Sequence, residues 1–165
     1  MSIPGDQATV TVTVAVPPAD AFRTFVEDID LWWGQGPRYR LGERNTGALR
    51  FEPRLGGRLF ETFESASGPQ LVEFGRITAW EPPARLSFEW RNANFAPAEK
   101  TFVDISFDRI EGGTRVTLCH RGWASLRADH PARHGLEAAA FVRMTGLWWG
   151  ELLSSYRTRA AGAAR

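Results

Sequence analysis

Several features are scarce in this chain of 165 residues, and each scarcity excludes a class of protein. Cys119 is the only cysteine, so no disulfide can form within the chain and an oxidising compartment is not indicated. The formal net charge of +1 gives no electrostatic basis for binding nucleic acid or an anionic membrane. No apolar run approaches the length that spans a bilayer, and the first residues do not resemble a cleavable leader. We therefore expect a cytoplasmic protein without nucleic-acid or membrane partners.

The sequence also lacks the short motifs that mark common catalytic and cofactor sites. It contains no HExxH, GxSxG, P-loop or dinucleotide-binding fingerprint. Gly56 and Gly57 form a predicted turn that does not precede a helix, as a phosphate-binding loop would. His130 and His134 have the i, i+4 spacing of a zinc pair, but Pro131 lies between them and no cysteine or carboxylate cluster completes a site. We predict no metal and no cofactor.

A period-2 pattern is repeated along most of the chain. Residues 9–16 alternate threonine or alanine with valine, which predicts a half-buried strand. Pro17 and Pro18 end this strand and begin a short amphipathic helix that carries apolar residues through Ile29. Residues 47–122 then form strands and turns without a helical crossover. Six consecutive strands joined in this way predict an antiparallel meander.

The C-terminal segment changes to helical spacing. Its predicted buried stripe comprises Leu136, Ala140, Met144, Leu147, Trp148, Leu152 and Tyr156. A helix of this length must bury its stripe on the sheet. Gly146 and Gly150, one turn apart, either let the helix approach the sheet closely or leave room for a ligand beneath it. Residues 160–165 are expected to be a frayed tail.

These elements predict an α+β fold of the helix-grip kind. It has a seven-stranded curved antiparallel sheet, short N-terminal helices and a long C-terminal helix packed across the concave face. We expect a single domain over 1–165, with its core at about 8–160.

Local motifs narrow the prediction to a known superfamily. They are VPPADAF at 16–22, LWW at 31–33, EPRLGGR at 52–58, WEPPARL at 80–86, TLCHRG at 117–122 and GLW at 146–148. With these motifs the chain resembles the START-like or SRPBCC superfamily, and within it the branch named after the activator of the heat-shock-protein-90 ATPase. The resemblance implies an apolar cavity between sheet and helix that binds a small hydrophobic molecule, aromatic or lipid-like.

Large side chains on positions expected to face the helix are the candidate ligand contacts. They are Trp33, Phe51, Phe60, Phe74, Phe88, Trp90, Ile105, Phe107, Leu118, His120, Met144 and Trp148. The pocket is expected beneath Met144 and Trp148, with Trp33 near its mouth, because large rings supply contact area and an indole N–H for orientation. The alternative is that these rings fill the core. The facing of several aromatic residues between 47 and 80 stays open.

His120 is the single, weak catalytic candidate. Its strand parity places it on the concave face, where an imidazole can act as a general base, hold a ligand oxygen or serve as a structural hydrogen-bonding group. Cys119 has the opposite parity, so the two cannot form a catalytic dyad. Glu61, Glu73 and Arg76 are the remaining polar candidates, and exposed ion pairs are the default expectation for them.

Three functions remain open from the sequence. The preferred one is binding or carriage of an apolar, ring-containing small molecule. The second is a cyclase-like or hydrolytic enzyme that uses the same cavity, and the third is a module that contacts a chaperone, which the branch name alone suggests and which we do not expect. A homodimer is a further option, because one tryptophan of each pair, Trp32-Trp33 and Trp148-Trp149, is expected to point outward.

Overall fold

A computed structural model of the protein describes residues 7–34, 38–42, 47–91, 95–123, 126, 130 and 135–163. Its elements are β1 (Gln7–Val14), α1 (Pro18–Glu27), α2 (Ile29–Trp32), β2 (Ala48–Phe51), β3 (Arg58–Ser65), β4 (Gly68–Glu81), β5 (Arg85–Trp90), β6 (Thr101–Ile110), β7 (Gly113–Arg121) and α3 (Ala138–Ala163). The predicted order of strand, short helical region, meander and long terminal helix is confirmed. Among these residues no helix is long and apolar enough to cross a membrane.

The seven strands form one antiparallel sheet in the order β1-β7-β6-β5-β4-β3-β2. Strands β2 to β7 pair with their sequence neighbours, as a meander requires. The first strand pairs with the last without a register shift, from Gln7 opposite Arg121 to Val14 opposite Thr114. The predicted fold class, an α+β helix-grip fold, is confirmed.

β4 contains two bulges, which explain why the alternation of its residues does not predict the side of the sheet to which its aromatic residues point. The register shifts between Leu59 and Phe60 on the β3 side and between Ile77 and Ala79 on the β5 side. An extra residue on one strand reverses the parity of the positions beyond it. The inward residues of β4 are therefore spaced by three, at Phe74, Ile77 and Trp80.

The predicted first helix is divided into two. α1 starts with Pro18 and buries Phe22 and Phe25, as its amphipathic pattern predicts. It ends at Asp28, whose φ of −98° and ψ of 17° depart from helical values and whose N–H donates to the Thr24 carbonyl at 3.1 Å. α2 follows as a single turn and places two tryptophans at its C-terminal end.

In the first half of α3 the buried stripe is rotated by about one residue from the predicted one, whereas Leu152 and Tyr156 are buried as predicted. The members of the stripe along α3 are Phe141, Thr145, Trp149, Leu152, Leu153, Tyr156 and Ala160. Leu147, predicted to be buried, is 64% exposed, and Met144 and Trp148 are half-buried. The segment contains adjacent pairs of large apolar residues, Trp148-Trp149 and Leu152-Leu153, so two stripes one residue apart fit the spacing about equally well.

The expected frayed tail is helical as far as Ala163. Ala160 is completely buried in the main core, so the last turns of α3 belong to the packed structure. Of the two alternatives for Gly146 and Gly150, close approach of the helix to the sheet is not found. A Cβ added at Gly146 or Gly150 would meet no atom within 4 Å, so both face open space.

Candidate functional site

Aromatic rings form a continuous cluster between one end of the sheet and the middle of α3. The Trp33 ring contacts those of Trp90, Trp148 and Trp149, with centroids 5.6 to 5.8 Å apart. Phe74 stacks on Trp90 at 5.1 Å, and Tyr39 stacks on Trp148 at 5.7 Å. We call this set the aromatic cluster: Trp33, Tyr39, Phe74, Trp90, Trp148 and Trp149. Because Tyr39 and Trp148 are only half-buried, the cluster runs from the surface into the interior.

His120 lies at the inner end of this cluster in a chain of hydrogen bonds. Its Nδ1 accepts the indole N–H of Trp149 at 3.0 Å, which makes Nδ1 the unprotonated nitrogen because an indole can only donate. Its Nε2 therefore carries the proton and donates to Thr101 Oγ1 at 2.7 Å. The Thr101 hydroxyl in turn donates to the Trp90 carbonyl oxygen at 2.9 Å. All of these polar atoms are satisfied when the imidazole is neutral.

Burial holds His120 in this neutral form. It lowers the pKa of the imidazole from its ordinary 6.5 to about 3. The side chain is 2% exposed and both ring nitrogens are engaged, so no free nitrogen is available for a substrate. The geometry favours the structural alternative for His120 over the catalytic one.

Most of the predicted contact residues are brought together on the concave side of the sheet. Buried there are Trp33, Phe51, Phe74, Phe88, Trp90, Ile105, Phe107, Leu118 and His120. Trp149, which is not among the predicted contacts, is completely buried beneath the middle of α3, where its indole N–H reaches His120. Trp33 is 3% exposed, so the surface end of the cluster is formed by Tyr39 and Trp148 instead.

Phe60 and Met144 are predicted contacts that do not belong to this buried group. On β3 the inward positions are Leu59 and Glu61, and Phe60 points to the opposite face, where the Arg58 guanidinium lies 4.8 Å from its ring. The sequence misled here because a carboxylate occupies an inward position. Met144 packs against a second, smaller apolar cluster of Phe95, Trp123, Leu126 and Phe141.

Sequence reasoning missed two members of the aromatic cluster. The helical spacing places Trp148 in the buried stripe as readily as its neighbour Trp149, and only the packing of α3 distinguishes the two. Tyr39 lies in a segment without periodicity, between loop-forming residues. Its neighbours Arg38 and Arg40 are typical of a solvent-exposed segment. Nothing in the local sequence therefore predicts that Tyr39 stacks on Trp148.

Residues 38–42, which we call the strap, are fixed to α2 by buried polar contacts. The carbonyl oxygen of Tyr39 accepts the Trp33 indole N–H at 3.1 Å. Arg40 is 7% exposed and pairs with Asp30 at 2.7 Å. Partial burial opposes ionisation of Asp30, but hydrogen bonds from Arg40 and a backbone N–H hold its pKa below the usual value.

Glu61 fixes the strap to the sheet. It was expected in an exposed ion pair, which is wrong, because it is 1% exposed and its carboxylate accepts the backbone N–H groups of Leu41 and Gly42 at 2.9 and 2.7 Å. Such charge-assisted bonds compensate for the burial of the carboxylate. The default does hold for Arg76 and Glu73, which form an exposed pair at 3.2 Å.

The strap contacts α3 at the surface end of the aromatic cluster. The Tyr39 hydroxyl donates to Glu151 Oε2, and Arg38 pairs with the same carboxylate at 3.1 Å. Partial burial, together with the hydrogen bond to Glu151, raises the pKa of Tyr39. A protonated phenol and a carboxylate therefore lie side by side next to the half-buried Trp148.

No group of three or more side chains suited to a metal ion occurs in the part of the chain that the structure describes. His130 is buried and its Nε2 lies 3.1 Å from Glu99 Oε1. His134, the other member of the considered zinc pair, lies outside the described residues.

The outward-pointing tryptophan expected as a basis for a homodimer is not found in the Trp32-Trp33 pair, and in the Trp148-Trp149 pair it is only half-buried Trp148. Trp32 and Trp33 are 1% and 3% exposed, and Trp149 is completely buried. Trp32 donates its indole N–H to the Phe25 carbonyl at 3.2 Å. Trp148, the most accessible of the four, is half-buried against the strap.

Solved structures from several bacteria share this fold. A protein from Nitrosomonas europaea is 16% identical, with a TM-score of 0.64 and 99% of each chain covered. A protein from Rhodobacter sphaeroides is 20% identical, with a TM-score of 0.60, covering 96% of this chain and 94% of that one. An anthrahydroquino-γ-pyrone synthase, Txn09, complexed with SUM, is 27% identical, with a TM-score of 0.57, covering 95% of this chain and 99% of that one.

The sequence itself has no match among the curated proteins. A family profile does match it, over residues 15–146, and the description of that family is activator of Hsp90 ATPase homolog 1-like protein. The match spans most of the chain and includes five of the six motifs that resemble the heat-shock-protein-90 activator branch of the START-like superfamily, the exception being GLW at 146–148, where the match ends. The chain therefore belongs to the family of activator of Hsp90 ATPase homolog 1-like proteins.

Proposed function

We propose that this protein binds a flat, ring-containing apolar molecule at the surface end of the aromatic cluster, beside Tyr39 and Trp148. The observation that carries the proposal is the aromatic path from solvent to the interior, formed by half-buried Tyr39 and Trp148 over buried Trp33 and Trp90. Stacked rings of this kind offer large contact area at a small cost in side-chain entropy.

Polar groups at the same place supply orientation. The Tyr39 hydroxyl and the Glu151 carboxylate lie beside the stacked rings, where a ligand hydroxyl or ketone could exchange for their mutual hydrogen bond. Binding sites for small molecules combine a mostly apolar lining with a few such groups. This combination favours a ring with oxygen substituents over a plain acyl chain.

The similarity to the synthase Txn09 supports the same ligand class. Its name is that of a synthase of an anthrahydroquino-γ-pyrone, a ring compound, and the 27% identity extends over nearly the whole of both chains. A shared fold by itself would not carry a substrate from one protein to another. The aromatic cluster gives the independent reason to expect a ring here.

Titration with alizarin, a flat dihydroxylated ring compound, tests the proposal. We expect alizarin to raise the melting temperature and to quench tryptophan fluorescence, whereas decanoate, a linear anion, has little effect. Trp148→Ala removes one stacking ring and should weaken alizarin binding about tenfold. Leu147→Ala is the matched control, because Leu147 is the neighbouring residue and is 64% exposed.

Two results would contradict the proposal. One is the absence of any thermal shift or quenching with alizarin. The other is equal affinity of the wild type and Trp148→Ala, since a ligand that does not contact Trp148 cannot occupy the proposed place.

A second candidate is catalysis of a cyclisation in the same place. It is favoured by the Tyr39–Glu151 pair and by the similarity to a γ-pyrone synthase. In such a step Glu151 would take the proton of an enol hydroxyl whose oxygen attacks a carbonyl carbon, while Tyr39 protonates the carbonyl oxygen. Loss of water then completes the pyrone ring.

Cyclisation of the linear triketone diacetylacetone to dimethyl-γ-pyrone is a direct assay for that step. The second candidate predicts turnover by the wild type and its loss in Tyr39→Phe, with alizarin binding retained. If the wild type and Tyr39→Phe cyclise the triketone no faster than buffer does, ligand binding is the function that remains.

Contact with a chaperone ranks below both candidate functions because the family name alone suggests it. Recovery of this protein in a pull-down with the cognate chaperone would reverse that order.

A further inference from the structure

A separate groove lies at the opposite end of the sheet from the aromatic cluster. It has a volume of about 380 Å³ and is lined by Ala19, Phe22, Arg23, Val26, Glu27, Pro53, Trp80, Pro82 and Pro83. Trp80 pairs with Leu86 next to the β4–β5 turn, whereas Trp90 of the aromatic cluster lies at the other end of β5. The groove is thus a second aromatic site, remote from the proposed ligand site.

The lining of this groove is apolar and rigid. Phe22 and Trp80 meet edge to face with centroids 5.1 Å apart, and Trp80 is half-buried. Prolines from two turns also line the groove, and their rings have few conformations to lose when a ligand binds. Its volume lies within the usual range for small-molecule sites.

Two charged residues, Arg23 and Glu27, line the groove, and they differ in their ion pairs. Arg23 pairs with Asp20 at 2.6 Å, and Asp28 pairs with Arg159 at 3.1 Å. Glu27, on the rim, has no ion-pair partner among the described residues.

The charged side chains of the flanking turns pair among themselves and do not line the groove. Glu52 pairs with both Arg58 at 2.8 Å and Arg54 at 3.5 Å, and Glu81 pairs with Arg85 at 3.8 Å. Glu27 is also the last residue of α1, whose final turn contains no basic residue. The partial negative charge of a helix C-terminus therefore adds to that of the carboxylate.

From these features we infer that the groove binds a small, flat organic cation. The half-buried indole of Trp80 attracts a cation through its ring electrons, and the apolar walls cover the rest of the molecule. Glu27 supplies the opposite charge at the rim. An anion of the same shape meets the same walls but is repelled by Glu27.

Two water-soluble probes of matched shape separate charge from apolar contact, N-methylquinolinium and naphthoate. The measurement is the indole N–H region of a proton–nitrogen correlation spectrum, in which Trp80→Phe identifies the Trp80 signal. We expect N-methylquinolinium to shift the Trp80 signal in a saturable manner and to leave Trp148 unchanged. Naphthoate should bind at least several-fold more weakly at Trp80.

Variants test the charge of Glu27 and the space in the groove one at a time. Glu27→Gln should weaken binding of the cation about two- to fivefold, the range expected for an exposed charge contact. Glu64→Gln is the matched control, because Glu64 is an exposed carboxylate at the far end of the β3–β4 hairpin. Ala19→Leu places a larger side chain in the groove from the exposed face of α1 and should abolish binding without lowering the melting temperature.

Three results would overturn the inference. They are equal binding of naphthoate and N-methylquinolinium at Trp80, an unchanged affinity for the cation in Glu27→Gln, and no shift of the Trp80 signal at saturating cation. Each can occur while alizarin binding at the aromatic cluster is intact, so this inference and the proposed function can fail separately.

Discussion

The neutral, buried state of His120 predicts how the stability of this protein depends on pH. The imidazole has a pKa of about 3 in the folded protein against 6.5 when unfolded. The unfolded chain therefore binds a proton between these values that the folded chain does not, and stability falls as pH is lowered through this window. The contribution of His120 is fully present above pH 6.5 and is lost progressively towards pH 3.

The size of this loss of stability follows from the pKa shift of His120. At 1.36 kcal/mol per pKa unit, the complete loss is on the order of 5 kcal/mol, as an upper limit. Between about pH 7.5 and pH 5, where only part of the window is crossed, the expected loss is about 2 kcal/mol. That is a large fraction of the stability of a typical domain.

Urea denaturation at the two pH values measures this loss, and His120→Gln is the comparison. Glutamine has an acceptor for the Trp149 indole and a donor for Thr101, but it does not titrate in this range. We expect the variant to lose about 2 kcal/mol less than the wild type over the same interval. Equal losses in the two proteins would refute the reasoning, as would nitrogen chemical shifts showing that His120 is protonated at pH 5.

Other substitutions test the hydrogen bonds and the helix phase. Trp149→Phe keeps a ring but leaves Nδ1 of His120 without its donor, so urea denaturation should show a loss of about 1–3 kcal/mol. Glu61→Gln weakens the acceptor for the strap and should cost a similar amount, whereas Glu64→Gln should change stability by less than about 0.5 kcal/mol. Phe141→Ala should cost about 3–5 kcal/mol and Leu147→Ala less than about 0.5 kcal/mol. The reverse order for this last pair would show that α3 buries the other stripe.

The fold could be predicted because its signals are local and repeated. Alternating valines at 9–16 and the run of strands up to His120 each specify an element within a few residues, and the long C-terminal segment specifies a helix. The order of these elements then leaves few arrangements for a meander closed by one helix. Errors in element bounds, such as the tail beyond Ala160, do not alter that order.

The site was harder to predict because it depends on which face of α3 is buried and on side chains that connect segments far apart in the sequence. A rotation of α3 by one residue exchanges Trp148 for Trp149, and the sequence supports both. Glutamate is a residue that is usually exposed, yet Glu61 is buried. Only its hydrogen bonds to the strap, which is distant in the sequence, explain this burial. Tyr39 reaches α3 across more than a hundred residues of sequence, which no local pattern reports.

The central claim is that a flat ring binds beside Tyr39 and Trp148. The most direct measurement is the indole N–H spectrum of the protein during titration with alizarin, with signals assigned by single tryptophan substitutions. The account predicts saturable shifts of the Trp148 and Trp33 signals, with Trp80 unchanged. Saturating alizarin that leaves Trp148 and Trp33 unshifted, or that shifts Trp80 alone, would contradict it.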